Sequence, residues 1–332
     1  MRRATYFLFV FLVASSVALP DDGPGLLTPQ GPGPVDPSPL TKDAKDGSND
    51  DAEEPDYAFI AGGPYTQKKN SLQLIFAGQG GRRQTNLGGS TLEHAEFGTY
   101  LRAEWGLTDR WEIDVIVPAE GARDRLNDVT VKSDFAASDS VLGIRYRLLT
   151  EPSAPFTMTM GPQVILPSGD FSRGTGFERP GYAWDWAAAK DWGGPVFLYA
   201  SWNYALFPKV RTPGTASRRG LNLQNLFGGT ALGYRALEKD RGQFHHDIHV
   251  FFEYGISWEQ DLTRDSGVTS KVTDVHSLVA PGIRYGLLTA RQTLVEIGVS
   301  FPIGLDRGTP RYGVILQFQF ERGFGLKGSR RE

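Results

Sequence analysis

Alternation with a period of two residues, sustained from about Ser71 almost to the end of the chain, constrains this sequence more than any other feature. In the closing run Val314-Ile315-Leu316-Gln317-Phe318-Gln319-Phe320, Val314, Leu316, Phe318 and Phe320 fall on one side. Gln317 and Gln319 fall on the other with Ile315. Side chains of a strand point alternately to opposite faces, so such a run makes a strand with unlike faces. The pattern predicts twelve strands: roughly 71–79, 92–106, 110–119, 138–150, 154–167, 182–192, 195–207, 222–237, 243–258, 273–288, 291–303 and 311–322. Most are longer than the five or six residues usual in soluble sheets. A tilted strand needs about 9–11 residues to cross a bilayer, so the lengths favour a membrane.

The connections alternate in length. Short turns are expected at Leu107-Thr108-Asp109-Arg110, Thr150–Ser153, Gly193-Gly194, Glu238–Gly242 and Leu288–Ala290. Longer polar loops are expected near 80–91, 120–137, 168–181, 208–221 and 259–272, with a shorter one at 304–310. Outer-membrane barrels carry short turns on one rim and longer loops on the other. The fold class read from this is all-β: a transmembrane, up-and-down antiparallel β-barrel of about twelve strands over 69–322. Its location would be the bacterial outer membrane, with both termini periplasmic.

One face of nearly every strand is apolar and the other carries the charges. An arginine or lysine facing lipid costs about 2–4 kcal/mol at the bilayer midplane, which assigns the charged face to the inside. The expected lumen-lining residues are Glu96, Arg102, Glu104, Asp114, Arg145, Arg147, Arg235, Asp247, His249, Glu253, Arg284 and Glu296. Trp105 and Trp111, with Tyr146 and Tyr285, fall towards one rim, and Trp184, Trp186, Trp202, Tyr204 and Trp258 towards the other. Aromatic residues in two such belts mark the two membrane interfaces. A soluble sandwich would explain any single strand, but not the two belts together with the alternating loop lengths. Side chains fill an eight-stranded barrel and leave an aqueous channel in one of sixteen. Twelve strands leave room both for a salt-bridged interior and for a restricted path.

Ahead of the barrel, Arg2 and Arg3, the apolar stretch Tyr6–Val13 and the small residues Ser16-Val17-Ala18 have the order of a secretory signal peptide over 1–18. Residues 20–56 hold eight prolines, ten acidic residues and two lysines. A stretch so composed buries too little apolar surface to offset its ordering entropy, so 19–68 is expected to be a disordered linker. The net charge of −3 is thus concentrated in the linker, while the body is nearly balanced and lacks the basic footprint of a nucleic-acid binder. Cysteine is absent, which excludes disulfides and thiolate metal sites. Residues 323–332 form a basic C-terminal tail.

Several segments resemble one family. Trp105-Gly106-Leu107-Thr108-Asp109-Arg110-Trp111-Glu112-Ile113 resembles its hairpin motif, Val164-Ile165-Leu166-Pro167-Ser168-Gly169-Asp170 a strand end, and Ala280-Pro281-Gly282-Ile283-Arg284-Tyr285 an internal strand. Val299-Ser300-Phe301-Pro302-Ile303-Gly304-Leu305 with Tyr312–Phe320 resembles its closing pair. The family is the outer-membrane transporter family labelled "MetA-pathway of phenol degradation", and the likeness covers roughly 70–322. It implies a barrel that admits small molecules, aromatic or hydrophobic ones among them. Such barrels commonly end on an aromatic residue read by the outer-membrane assembly machinery, whereas this chain continues beyond Phe320 to Phe324 and a basic tail.

Catalytic chemistry finds little support. His245, Asp247, His249 and Glu253 share one strand face, but two histidines four residues apart on a strand are about 13 Å apart and cannot share a metal. Asp109-Arg110 and Ser168-Gly169-Asp170 read as turn chemistry. The expected partners are therefore the lipid bilayer, a small-molecule solute and the assembly machinery, with no cofactor, metal or nucleic acid. A channel or transporter is the leading reading. A closed structural or adhesion barrel with binding loops is the alternative, and an outer-membrane enzyme using His245, His246 or His249 is a third.

Overall fold

The computed structural model describes residues 58–323, apart from 88–89, 128, 172, 174, 178, 211–219, 242–243, 266–267, 290–292 and 307–308. The expected signal peptide, most of the expected linker and the tail beyond residue 323 lie outside the described residues.

Twelve antiparallel strands form a closed barrel. They are β1 (Ser71–Leu87), β2 (Ser90–Gly106), β3 (Trp111–Leu126), β4 (Val129–Ala137 continuing as Ser140–Leu149), β5 (Thr157–Leu166) and β6 (Gly181–Asp191). There follow β7 (Val196–Val210), β8 (Leu221–Arg241), β9 (Phe244–Asp265), β10 (Val268–Thr289), β11 (Thr293–Ser300 continuing as Ile303–Gly304) and β12 (Tyr312–Gly323). Each pairs with its chain neighbours, and β1 closes on β12 with Ser71 opposite Gly323 and Arg82 opposite Tyr312. Closure leaves no open edge at membrane depth, which a strand structure in hydrocarbon requires. Both ends of the wall therefore meet at one rim, called here the terminal rim.

The outward face is apolar. Phe76, Leu101 and Val117 lie side by side across β1, β2 and β3 and are each about half exposed. Trp111 of β3 packs on Tyr146 of β4 next to the short turn at 107–110, with ring centroids 4.6 Å apart. Replacing Leu101 by Arg is expected to cost about 2–4 kcal/mol, read as a lowered urea midpoint for refolding into lipid vesicles. A variant as stable as the native chain would place this face outside lipid.

Two expectations about the boundaries are corrected. The segments 80–91, 120–137 and 259–272 were expected as loops, yet strands run through nearly all of them. The hairpins β1–β2, β3–β4 and β9–β10 stay paired out to Leu87–Ser90, Leu126–Val129 and Asp265–Val268. Polarity there reflects water on both sides of a tall hairpin and says nothing against pairing. The second correction concerns residues 58–67, expected in the linker. They are buried inside the barrel.

Candidate functional site

Residues 58–67 belong to no strand and cross the lumen as a plug. A buried backbone without secondary structure must find partners for its polar groups, and the charged inner wall supplies them. The N–H groups of Phe59, Ile60 and Ala61 all donate to the Glu253 carboxylate of β9, at 2.7, 2.6 and 3.0 Å. Gly62 N donates to Ser201 of β7 at 2.8 Å. The next residues present carbonyls instead. Arg145 of β4 donates to the oxygens of Gly63 and Tyr65, and Thr159 of β5 to that of Pro64. Arg147 donates to the carbonyl of Thr66 at 2.6 Å and to its hydroxyl at 3.1 Å. Gln67 N then donates to Glu112 of β3 at 2.6 Å. Acid meets the donors and base meets the acceptors.

The plug joins β1 by a sharp turn. Asn70 adopts a φ of 63°, in the left-handed region that asparagine tolerates better than most residues. Its N–H bonds the carbonyl of Gly106 at 2.8 Å. At the other end the wall is recessed for a ring. A Cβ on Gly298 or Gly282 would lie 2.6 or 2.7 Å from the ring of Phe59. Phe59 meets Phe251 edge to face, with centroids 5.9 Å apart, beneath the Arg284 guanidinium at 4.8 Å.

All twelve expected lumen residues are buried on the inner face, none more than 7% exposed. The fold distributes them over separate groups. Arg145, Arg147 and Glu253 hold the plug, and Arg145 also reaches Glu112 and Asp185 at 3.4 and 3.5 Å. Arg102 bridges Glu104 at 2.7 Å and Asp114 at 3.0 Å. Arg284 bonds Gln317 of β12 at 3.0 Å. Arg235 sits at the terminal rim, 2.9 Å from Asp191 and over the ring of Phe197. His249 packs edge-on against Phe197 and Phe251. Asp247 and Glu296 lie low on the wall, and Glu96 lies near the far rim with His94 and Asp124.

The sequence reading missed the apolar content of the lumen. Phe197, Tyr199, Phe227 and Phe251 cluster with the plug residues Phe59, Ile60 and Tyr65. Towards the far rim a second apolar layer joins Ile75, Tyr100, Ile116, Val141, Ile165, Phe207 and Leu223. From the connection after β5, Phe177 enters this layer and packs on Phe207 with centroids 4.3 Å apart. Asp139, in the break between the two parts of β4, accepts the N–H groups of Gly169 and Phe177 at 2.8 and 2.7 Å and so ties that lid down.

The substitution Asp139→Asn would offer these donors one acceptor oxygen where the carboxylate offers two. It should therefore speed hydrogen exchange at the Phe177 amide. Unchanged protection would refute the tie.

No family model and no curated protein matches the sequence. Solved structures do. The COG4313 outer membrane channel from Pseudomonas putida F1 superposes with a TM-score of 0.50 at 14% identity, over 78% of this chain and 97% of that one. The translocator domain of the autotransporter NalP from Neisseria meningitidis gives 0.42 at 13% identity, over 78% and 90%. The NanC porin gives 0.39 at 10%, over 74% and 98%. The first of these shows the fold: the chain has the architecture of an outer-membrane β-barrel.

Proposed function

We propose that this chain is an outer-membrane channel that passively admits small molecules and carries residues 58–67 as its own stopper. The observation that carries the reading is the nature of the plug. It pairs with no strand and is seated by hydrogen bonds to wall side chains, so it can leave without breaking the barrel. The similarity to a structure described as an outer membrane channel supports the same reading, as does the sequence resemblance to the MetA-pathway family. The apolar layer and the inner aromatic cluster, set against buried arginines, favour amphipathic or aromatic solutes. In this reading the signal peptide directs export, the terminal rim is periplasmic, Phe320 or Phe324 is read by the assembly machinery, and the twelve inward residues line the path. No catalytic group, cofactor or metal takes part.

Proteoliposomes holding the purified chain should take up small aromatic solutes faster than protein-free vesicles and faster than sugars of similar size. A barrel silent to every solute and voltage would overturn the proposal. It would favour instead a closed structural barrel, a reading that the plug and the lid both support by filling the lumen.

A further inference from the structure

A groove of about 640 Å³ opens at the far end of the β1–β12 seam. Strand lengths create it. β12 pairs with β1 only as far as Arg82–Tyr312, whereas β1 continues against β2 to Leu87–Ser90. β11 leaves β10 at Gly304–Leu278, whereas β10 remains paired with β9 out to Asp265–Val268. The seam thus ends in a notch, bordered by residues 304–306 and 309–312. Asp306 anchors this border, accepting the N–H of Ser277 at 2.6 Å and both the N–H and hydroxyl of Thr309 at 2.9 and 2.6 Å. The one carboxylate that lines the groove is therefore already engaged.

The remaining charge in the groove is positive and comes from Arg82, Arg83 and Arg311, of which Arg83 lies on the inward side of β1, within electrostatic reach of Glu96 and His276. The Arg82 side chain lies 2.6 Å from Glu93 yet stays 55% exposed, and Glu93 is not part of the lining. Among the described residues Arg311 has no ion-pair partner. Thr85 and Tyr312 add hydroxyls. Depth is fixed by the outward row beneath. Phe318, Leu316 and Val314 form the apolar band along β12, and Tyr312, 61% exposed, ends it. The groove begins where hydrocarbon gives way to headgroups, with a tyrosine at the interface.

Arginine presents a planar fork of donors that fits phosphate oxygens, and it gives up its hydration more readily than lysine. Resting on the outer-membrane placement above, we propose that this groove binds the phosphorylated sugar headgroup of an outer-leaflet glycolipid, with Arg82 and Arg311 on the phosphates and Tyr312 beside the sugar. The seam at which β12 stops short of β1 is thereby clamped from outside by a lipid.

The test uses the full chain in detergent micelles and reads binding by native mass spectrometry. The probes are diphosphorylated lipid A, its dephosphorylated form, and the soluble diphosphorylated disaccharide without acyl chains. Diphosphorylated lipid A should bind, and removing its phosphates should weaken it at least tenfold. Arg82→Gln and Arg311→Gln should each weaken it about tenfold, as loss of a charged hydrogen bond predicts. Arg173→Gln, which removes an exposed arginine paired with Asp170 elsewhere on the rim, should change nothing. Variants are checked for folding by heat-modifiable gel mobility. The inference is overturned if a variant carrying both Arg82→Gln and Arg311→Gln binds within twofold of the native chain, or if the dephosphorylated lipid binds equally well. The soluble disaccharide binding as tightly as the lipid would overturn the lipid source and assign the phosphate site to a solute. Cell fractionation tests the membrane placement separately, so failure of one claim does not imply failure of the other.

Discussion

Deleting residues 58–67 is expected to raise the conductance of single barrels in planar bilayers by roughly tenfold or more, since twelve strands enclose more space than their own side chains fill. The deletion also removes what Glu253, Arg145 and Arg147 hold, and water and ions then occupy that space. Glu253→Gln is the gentler version. A neutral amide offers one acceptor oxygen where the carboxylate offers two to three successive N–H groups, so the plug should loosen and conductance should flicker between closed and open levels. The lid at Phe177 lies elsewhere on the path. A deleted plug with unchanged conductance would move the barrier to that apolar layer, and adding Asp139→Asn would then be the informative second step.

The second large effect concerns stability. Arg145 is 1% exposed and joins Glu112, Asp185 and two plug carbonyls. Arg145→Met leaves two buried carboxylates without their cation, a loss of about 3–5 kcal/mol for a broken buried pair. The urea midpoint of the refolded barrel should fall accordingly. Combining Arg145→Met with Glu112→Gln should recover part of the loss, because the second change removes one of the two stranded charges. A single variant of native stability would mean that the barrel interior is wet enough to solvate both carboxylates.

The wall was legible in the sequence and the plug was not, and the reason is physical. Alternation is a property of each strand alone, so β2 announced its inward Glu96, Arg102 and Glu104 and its outward Phe97, Leu101 and Trp105 without reference to any other segment. The same local rule located all twelve buried candidates. It could not say what Arg145, Arg147 and Glu253 meet, because their partners are plug backbone groups 80 to 194 residues away. A signal was nevertheless present. Ala58-Phe59-Ile60-Ala61-Gly62-Gly63-Pro64-Tyr65 is apolar and uncharged, directly after an acidic, proline-rich stretch. Averaging over the whole linker concealed it. The inward aromatics were hidden differently: Phe197 and Phe207 alternate with Leu198 and Leu206, so both faces of β7 look apolar and neither declares itself as the inside.

The plug's three bonds to Glu253 join groups 192 to 194 residues apart in the chain. Such contacts cannot form until nine strands stand in place, and loops of that span close late and at high entropic cost. A growing barrel therefore passes through a stage with its wall mostly built and its centre vacant. The part of the barrel that is synthesised first thus finds its seat late.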